Sequence, residues 1–418
     1  MTSLVARTPA PATMASRSSP PPPYLTRVKL TNYRSIASCD VRLSALTFLV
    51  GPNGAGKSNF LDALAFVRDS LRTSLEYAIR ERSGIDAVRR RSNGHPHNFG
   101  VRLEFRLPGG ETGHYAFQVG AVGRGGYQVI REECVIDADA KRHSYAVKNG
   151  VLAESTLALA PAAYQDRLFL TNASGVYPFR ALFDAFGSMG FYNLNPRLIR
   201  DLQTPADGSL LAMAGENITS VLALMSVQAP ERKAQVEELL TMIVPGIAGV
   251  ESVQVGPKET LEFRQTIGGA KNPWRFPAAN MSDGTLRALG ILVALFQPGG
   301  SGRIPLVGIE EPEVALHPAA AGVLMGALRK ASINRQILIT SHSPDLLDDP
   351  GLVEQEILGV AAKGNVTYIS APDQAAREVI RSGLYTPGEL LRLDQIAPSV
   401  DLYERGPRQL DLFTGWRA

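Results

Sequence analysis

Gly51-Pro-Asn-Gly-Ala-Gly-Lys57-Ser58 follows directly on the apolar run 46–50 and precedes a segment, 58–71, with Phe60, Leu61, Leu64, Ala65 and Val67 on one helical side. A strand that enters a glycine-rich turn and leaves as a helix has one well-understood use. The glycines let the backbone wrap a phosphate, so that successive N–H groups and the helix N-terminus point at negative charge. In that arrangement Lys57 reaches the outer phosphates of a nucleotide and Ser58 holds Mg²⁺. The feature commits the chain to an α/β core.

A second apolar run, Ile304-Pro-Leu-Val-Gly-Ile, ends in Glu310-Glu311-Pro312. Two adjacent carboxylates at a strand end can serve a metal and an attacking water respectively, which supports in-line attack on a γ-phosphate. Glu310 is the metal-side candidate and Glu311 the base. A third run, Ile337-Leu-Ile-Thr-Ser-His342-Ser343, places a histidine one strand–helix–strand unit further on, as a γ-phosphate or water contact. Met281-Ser282-Asp283-Gly284-Thr285-Leu286-Arg287 precedes the apolar helix ALGILVALF. Ser282, the Gly284 amide and that helix start form an anion-binding surface.

In this order the four elements resemble the ABC-type ATPase heads of the RecF, SMC and OLD group. GPNGAGKSN is similar to their Walker A motif, MSDGTLR to the signature, LVGIEEPE to Walker B with the catalytic glutamate, EVALHP to the D-loop and ITSHS to the switch histidine. The opening LTNYRSI resembles the strand-turn with which such heads begin. The resemblance covers about residues 25 to 350. It implies an α/β P-loop NTPase fold of the ABC-ATPase type: a mixed sheet core, an antiparallel β-subdomain and an inserted helical subdomain. It also implies ATP and Mg²⁺ as cofactors. Gly51, Asn53, Gly54, Gly56, Lys57, Ser58 and Asn59 would bind nucleotide, Ser58 and Glu310 the metal, with Glu311 and His342 catalytic. Ser282 and Gly284 would complete the site of a second copy, making a homodimer on ATP binding.

The sequence departs from the family pattern in two places. Glu310 stands where many such ATPases have Asp, and Asp283 and Thr285 replace the Gly-Gln of transporter signatures. The Q-loop glutamine is left between Gln118 and Gln128.

The expected division is a disordered Pro/Ala/Ser-rich leader at 1–24, an ATPase lobe with Walker A and the β-subdomain at 25–150, and a helical insertion at 151–275. The signature, Walker B, D-loop and histidine half occupies 276–350, and a tail 351–418. No sustained heptads separate Ser58 from Ser282, against a coiled-coil SMC protein, and the stretch after His342 is short for a Toprim domain. The expectation is a stand-alone, RecF-sized head. Its relatives are DNA-repair or phage-defence ATPases, often acting with a separate nuclease.

Charge and composition constrain partners only weakly. Net charge is +3, hydrophobic residues make up 44% and charged residues 20%, so a large core is available and full disorder is excluded. Two cysteines and six histidines without an HExxH pair argue against a disulfide framework and a protease-type metal site. No apolar stretch approaches the roughly 20 residues of a membrane span, so a soluble, cytoplasmic chain with no membrane partner is expected. Arg89-Arg90-Arg91, with Arg80, Arg82 and Arg102, makes the first lobe locally basic and suits a DNA partner; a solvated loop is the plainer reading. Near the end, Gln409-Leu-Asp-Leu412-Phe413 is similar to the peptide by which bacterial replication and repair proteins dock into the sliding clamp. Leu412 and Phe413 would fill an apolar pocket and Gln409 make the orienting polar contact; the alternative is that they fold back on their own core. Two other functions stay open: a regulatory ATP sensor restraining a nuclease or toxin, and a transporter's nucleotide-binding subunit. The signature departures and LTNYRSI speak against the second.

Overall fold

The computed structural model describes residues 24–92, 96–158, 161–268, 272–299, 304–399 and 410–413. The leader expected at 1–24 therefore lies almost wholly outside the described residues, as does Gln409.

The chain opens with strands β1 (Leu25–Tyr33), β2 (Ile36–Arg42) and β3 (Leu46–Val50), then helix α1 (Lys57–Arg72) and the short helices α2 (Leu75–Arg80) and α3 (Ile85–Val88). An antiparallel meander follows: β4 (Asn98–Arg106), β5 (Thr112–Val122), β6 (Gly126–Ala138), β7 (Lys141–Lys148) and β8 (Val151–Ser155). Helices α4 (Phe169–Ala173) and α5 (Phe179–Gly187) lead to β9 (Gly190–Tyr192), α6 (Pro196–Arg200), α7 (Ile218–Gln228) and α8 (Pro230–Ile243). Then come β10 (Ile247–Val255), β11 (Lys258–Gln265) and β12 (Trp274–Pro277), α9 (Asp283–Phe296), β13 (Leu306–Glu310), α10 (Ala321–Ser332) and β14 (Gln336–Ser341). The last elements are α11 (Pro344–Leu347), β15 (Ile357–Lys363), β16 (Val366–Ser370), α12 (Gln374–Arg381) and α13 (Pro387–Arg392).

Thirteen strands form one sheet in the order β8-β7-β6-β5-β4-β1-β2-β16-β15-β3-β14-β13-β9, and β10-β11-β12 form a second. The fold is a mixed α/β one. The antiparallel meander is not detached from the strands around the glycine-rich loop but continuous with them, through the β1–β2 pair.

Side-chain alternation explains why the central strands are buried almost throughout and largely apolar. Leu49 of β3, Leu306 of β13 and Leu338 of β14 enter one core with Phe60, Leu61 and Leu64 of α1. Their neighbours Phe48 and Val50, Val307 and Ile309, Ile337 and Ile339 enter the other, with Leu286 and Leu289 of α9 and Leu324 and Leu328 of α10. A strand covered by helices on both faces must be apolar at every position.

One expectation about the later chain needs correction. Residues 351–370 are not tail: β15 pairs parallel with β3, and β16 pairs with both β15 and β2. The runs ILGV and VTYI are short, buried and partly β-branched, and they fill the sheet between β2 and β3. The helical insertion expected at 151–275 also carries β9, while the strands at VESVQVG and TLEFRQTI fall where the sequence pattern places them. Its helices lie between 169 and 243, β9 joins the main sheet, and the alternating VESVQV and TLEF runs build the three-stranded sheet.

Candidate functional site

Strands β13, β14, β3 and β15 run parallel, so their C-terminal ends meet at one edge. Glu310 is in register with Thr340, and Ser341 with Val50. The phosphate-loop turn, the two glutamates and the histidine therefore leave the sheet side by side. Open parallel sheets bind ligands at such an edge.

The loop is fitted closely to its neighbours. Gly54 and Gly56 have φ of 76° and 101°, a region that costs any residue with a Cβ. A side chain at Gly51 would strike the Val360 carbonyl of β15, and one at Gly56 the Thr367 hydroxyl of β16. Thr367 Oγ1 donates to the Ala55 carbonyl at 2.8 Å and lies 2.7 Å from Ser35 Oγ, which accepts from Asn59 Nδ2 at 2.6 Å. Lys57 donates from Nζ to the carbonyls of Gly51 and Pro52, at 2.7 and 3.0 Å. Burial lowers its pKa, opposed by the charges of Glu311, Glu313 and Glu310. The ammonium therefore sits among the loop's own carbonyls, in the field of three carboxylates.

Ser58 Oγ donates to Glu310 Oε2 at 2.6 Å. Burial raises the Glu310 carboxyl above its usual range; the Ser58 hydrogen bond lowers it, and Glu311 and Asp62 raise it further. A half-buried carboxylate beside a hydroxyl oxygen suits a hard cation that completes its shell with phosphate oxygens and water. Among the described residues no three His, Cys, Asp or Glu side chains make a metal cage. The pair fits Mg²⁺ as a partner of bound phosphates.

Glu311 has φ 43°, and its N–H donates to the Thr340 carbonyl at 3.0 Å. This turn carries the carboxylate to 3.4 Å from His342 Nδ1. Glu313 accepts from Ser341 Oγ at 2.7 Å and from the His342 N–H at 3.2 Å, fixing the turn that bears the histidine.

Ser282 caps α9, accepting from the Thr285 N–H at 3.2 Å, and is exposed with Asp283. Asp283 pairs with Arg200. Any side chain at Gly284 would meet the Ala315 carbonyl, so the start of α9 lies tight against the turn after Glu311. Arg287, one turn on, donates to the carbonyls of Leu194, Glu310 and Glu311 at 3.1, 3.3 and 3.1 Å. Burial lowers its pKa, against the pull of Glu311, Glu313 and Glu310.

Sequence reasoning missed Glu313, Arg287, Ser35 and Thr367. Arg287 and Glu313 lie inside the signature and Walker B motifs, where their charge was the available signal; Ser35 lies inside LTNYRSI, and Thr367 had no signal. Neither glutamine is among the loop's hydrogen-bond partners described above. Gln118 lines a groove beside residues 410–413, and Gln128 pairs with Gly120 in the meander.

The basic run is partly paired within the chain. Arg82 is buried and paired with Asp62 and Asp69 at 2.8 and 3.0 Å. Arg89 pairs with Asp86, and Arg102 with Glu104 and the Leu412 carbonyl. Much of the charge is thus spent internally. The end segment takes the fold-back alternative: Leu412 and Phe413 are 3% and 9% exposed, packed on Ala116. No helix among the described residues is long and apolar enough to cross a membrane.

Residues 46–121 and 256–348 match the family described as "AAA domain, putative AbiEii toxin, Type IV TA system". Over 41 residues the chain is 49% identical to the DNA replication and repair protein RecF of two Vibrio cholerae serotype O1 strains, covering 10% of this chain and 11% of theirs. The match thus spans about a tenth of those relatives' length. An SMC head bound to the C-winged helix domain of ScpA superimposes with TM-score 0.51 and 17% identity, over 83% of this chain and 97% of that one. The chain thus has the fold of that SMC head, with two of its segments matching the AAA-domain family and a short one similar to RecF.

Proposed function

We propose that the chain binds and hydrolyses ATP as a dimerising switch acting on or near DNA, in repair or phage defence, with a separate nuclease as partner. The observation that carries the nucleotide part is the Ser58–Glu310 contact at 2.6 Å, beside Lys57 at the shared edge of parallel strands. In this reading the loop amides and Lys57 take the β- and γ-phosphates, Lys57 leaving the carbonyls of Gly51 and Pro52 to do so. Ser58 and Glu310 hold Mg²⁺, which when bound neutralises charge on the phosphates. Glu311 accepts a proton from the attacking water, and His342, held by the Glu313 turn, contacts the γ-phosphate end.

Ser282 and Gly284 are the groups offered to a second copy. The exposed Ser282, at a helix N-terminus, suits an anion presented from outside the chain. ATP would then join two copies head to tail, and hydrolysis would release them. Arg287 ties that surface to the carbonyls of Glu310 and Glu311 within one chain.

The DNA part rests on the likeness to RecF, a named replication and repair protein. Steady-state ATP hydrolysis with double-stranded, single-stranded and nicked DNA tests it. Stimulation by one form supports the reading, and equal rates with and without DNA contradict it.

The matched family's description, which names a toxin system, supports a second reading: an ATP sensor that restrains a nuclease or toxin. Tight ATP binding with turnover only on addition of that partner distinguishes it.

A further inference from the structure

The antiparallel meander has two unlike faces. Phe99, Val101 and Leu103 of β4 and Tyr115, Phe117 and Val119 of β5 point into the core under α1 and α5. The alternate positions point outward, and the two smallest, Gly100 and Ala116, sit in register-adjacent places on neighbouring strands. They leave a notch in an otherwise polar surface. Leu412 fills it so closely that any side chain at Gly100 would strike its Cδ1.

The notch is furnished for a peptide as well as for an apolar group. Arg102, 5% exposed, donates from Nη1 to the Leu412 carbonyl at 2.9 Å, and Lys29 reaches the Asp411 carbonyl at 3.5 Å. The Arg131 guanidinium lies 4.1 Å from the centre of the Phe413 ring. Phe413 N–H donates to Asp411 Oδ1 at 3.0 Å, which turns the segment so that both apolar side chains face the sheet. A groove of about 460 Å³ runs on beside it, bordered by Thr31, Asn32, Asn98 and Gln118, whose amides and hydroxyl suit a peptide backbone.

Ala116, Leu412 and Phe413 form a cluster separate from both main cores. Opening it therefore exposes two side chains and breaches neither core, which places it at the low-stability end of local openings. We infer that this outer face is a peptide-docking site for a Leu-Asp-Leu-Phe segment, and that its resident occupant is this chain's own Leu410–Phe413, held reversibly. While docked, Leu412 and Phe413 are closed to any partner, a sliding clamp included. The inference does not rest on the ATPase reading.

Two measurements test it. In the first, the full chain carrying Leu412→Ser and Phe413→Ser, whose tail no longer fills the notch, is titrated with a labelled peptide copying residues 407–417. The expected result is saturable binding, lost when Gly100→Val is added, with the wild-type chain at least about ten-fold weaker because its own segment competes at high effective concentration. Failure of the double variant to bind while keeping wild-type ATP affinity, or wild-type binding equally tight, overturns the inference. The second uses the unmodified chain: hydrogen exchange over 410–413 should be at least about ten-fold slower than in the free peptide. Exchange at the free-peptide rate overturns it, whatever the variants do.

Discussion

Ser58 and Glu310 are 252 residues apart in sequence, yet the serine hydroxyl donates to the glutamate at 2.6 Å. The contact joins the start of α1 to the end of β13 and brings two oxygens to one point beside the phosphate loop. Burial raises the Glu310 carboxyl above its ordinary range. The sign follows: this group's contribution to stability is full below the ordinary carboxylate range and is lost as pH rises through the raised value. Glu310→Gln should therefore leave the nucleotide-free chain no less stable at neutral pH, while weakening Mg²⁺-dependent ATP binding about ten-fold or more. Thermal melts with and without Mg-ATP check both halves, and a variant that loses stability but keeps affinity contradicts the assignment.

Gly56 combines φ of 101° with a close approach to Thr367 of β16. Gly56→Ala should cost about 1–3 kcal/mol through the forbidden backbone region alone. It should also lift the loop from β16 and weaken ATP binding. Chemical denaturation and ATP titration of the variant measure the two effects, and an unchanged midpoint with unchanged affinity would show that the loop is not held as described.

The phosphate loop was legible in the sequence because its requirements are local: glycines for positive φ, a lysine, a hydroxyl, and strand and helix on either side. Glu310, Glu311 and His342 were legible because each ends an apolar run, and parallel strands bring their ends together. Thr367 was not. It reaches Ala55 from 312 residues away, through a strand pair inserted between β2 and β3 that no local pattern announces. The arginine run of the first lobe likewise shows charge but not the Asp62, Asp69 and Asp86 partners that the fold supplies to Arg82 and Arg89.

Arg287 spans three carbonyls with one planar fork, which a lysine cannot reproduce. Arg287→Ala and Arg287→Lys should each lower kcat for ATP about ten-fold or more, with a smaller change in KM, because the residue positions the Glu310–Glu311 turn without touching nucleotide. A lysine variant at the wild-type kcat contradicts this role.

Glu132 is fully buried and accepts from Tyr115 and Tyr145 hydroxyls at 3.0 and 2.8 Å, and from the Phe169 and Leu170 N–H groups at 2.5 and 2.8 Å. It anchors the start of α4 to the meander. Glu132→Ala strands all four donors and should destabilise the fold by about 3 kcal/mol or more. Denaturant titration checks it, and a loss within about 0.5 kcal/mol, the range of ordinary surface substitutions, would contradict it.

The central claim is that Glu311 is the base at a nucleotide site built from the loop, Ser58 and Glu310. It is tested most directly by ATP binding and single-turnover hydrolysis in Glu311→Gln. The account predicts ATP affinity close to the wild-type value with hydrolysis slowed at least about 100-fold. Hydrolysis at the wild-type rate would contradict it.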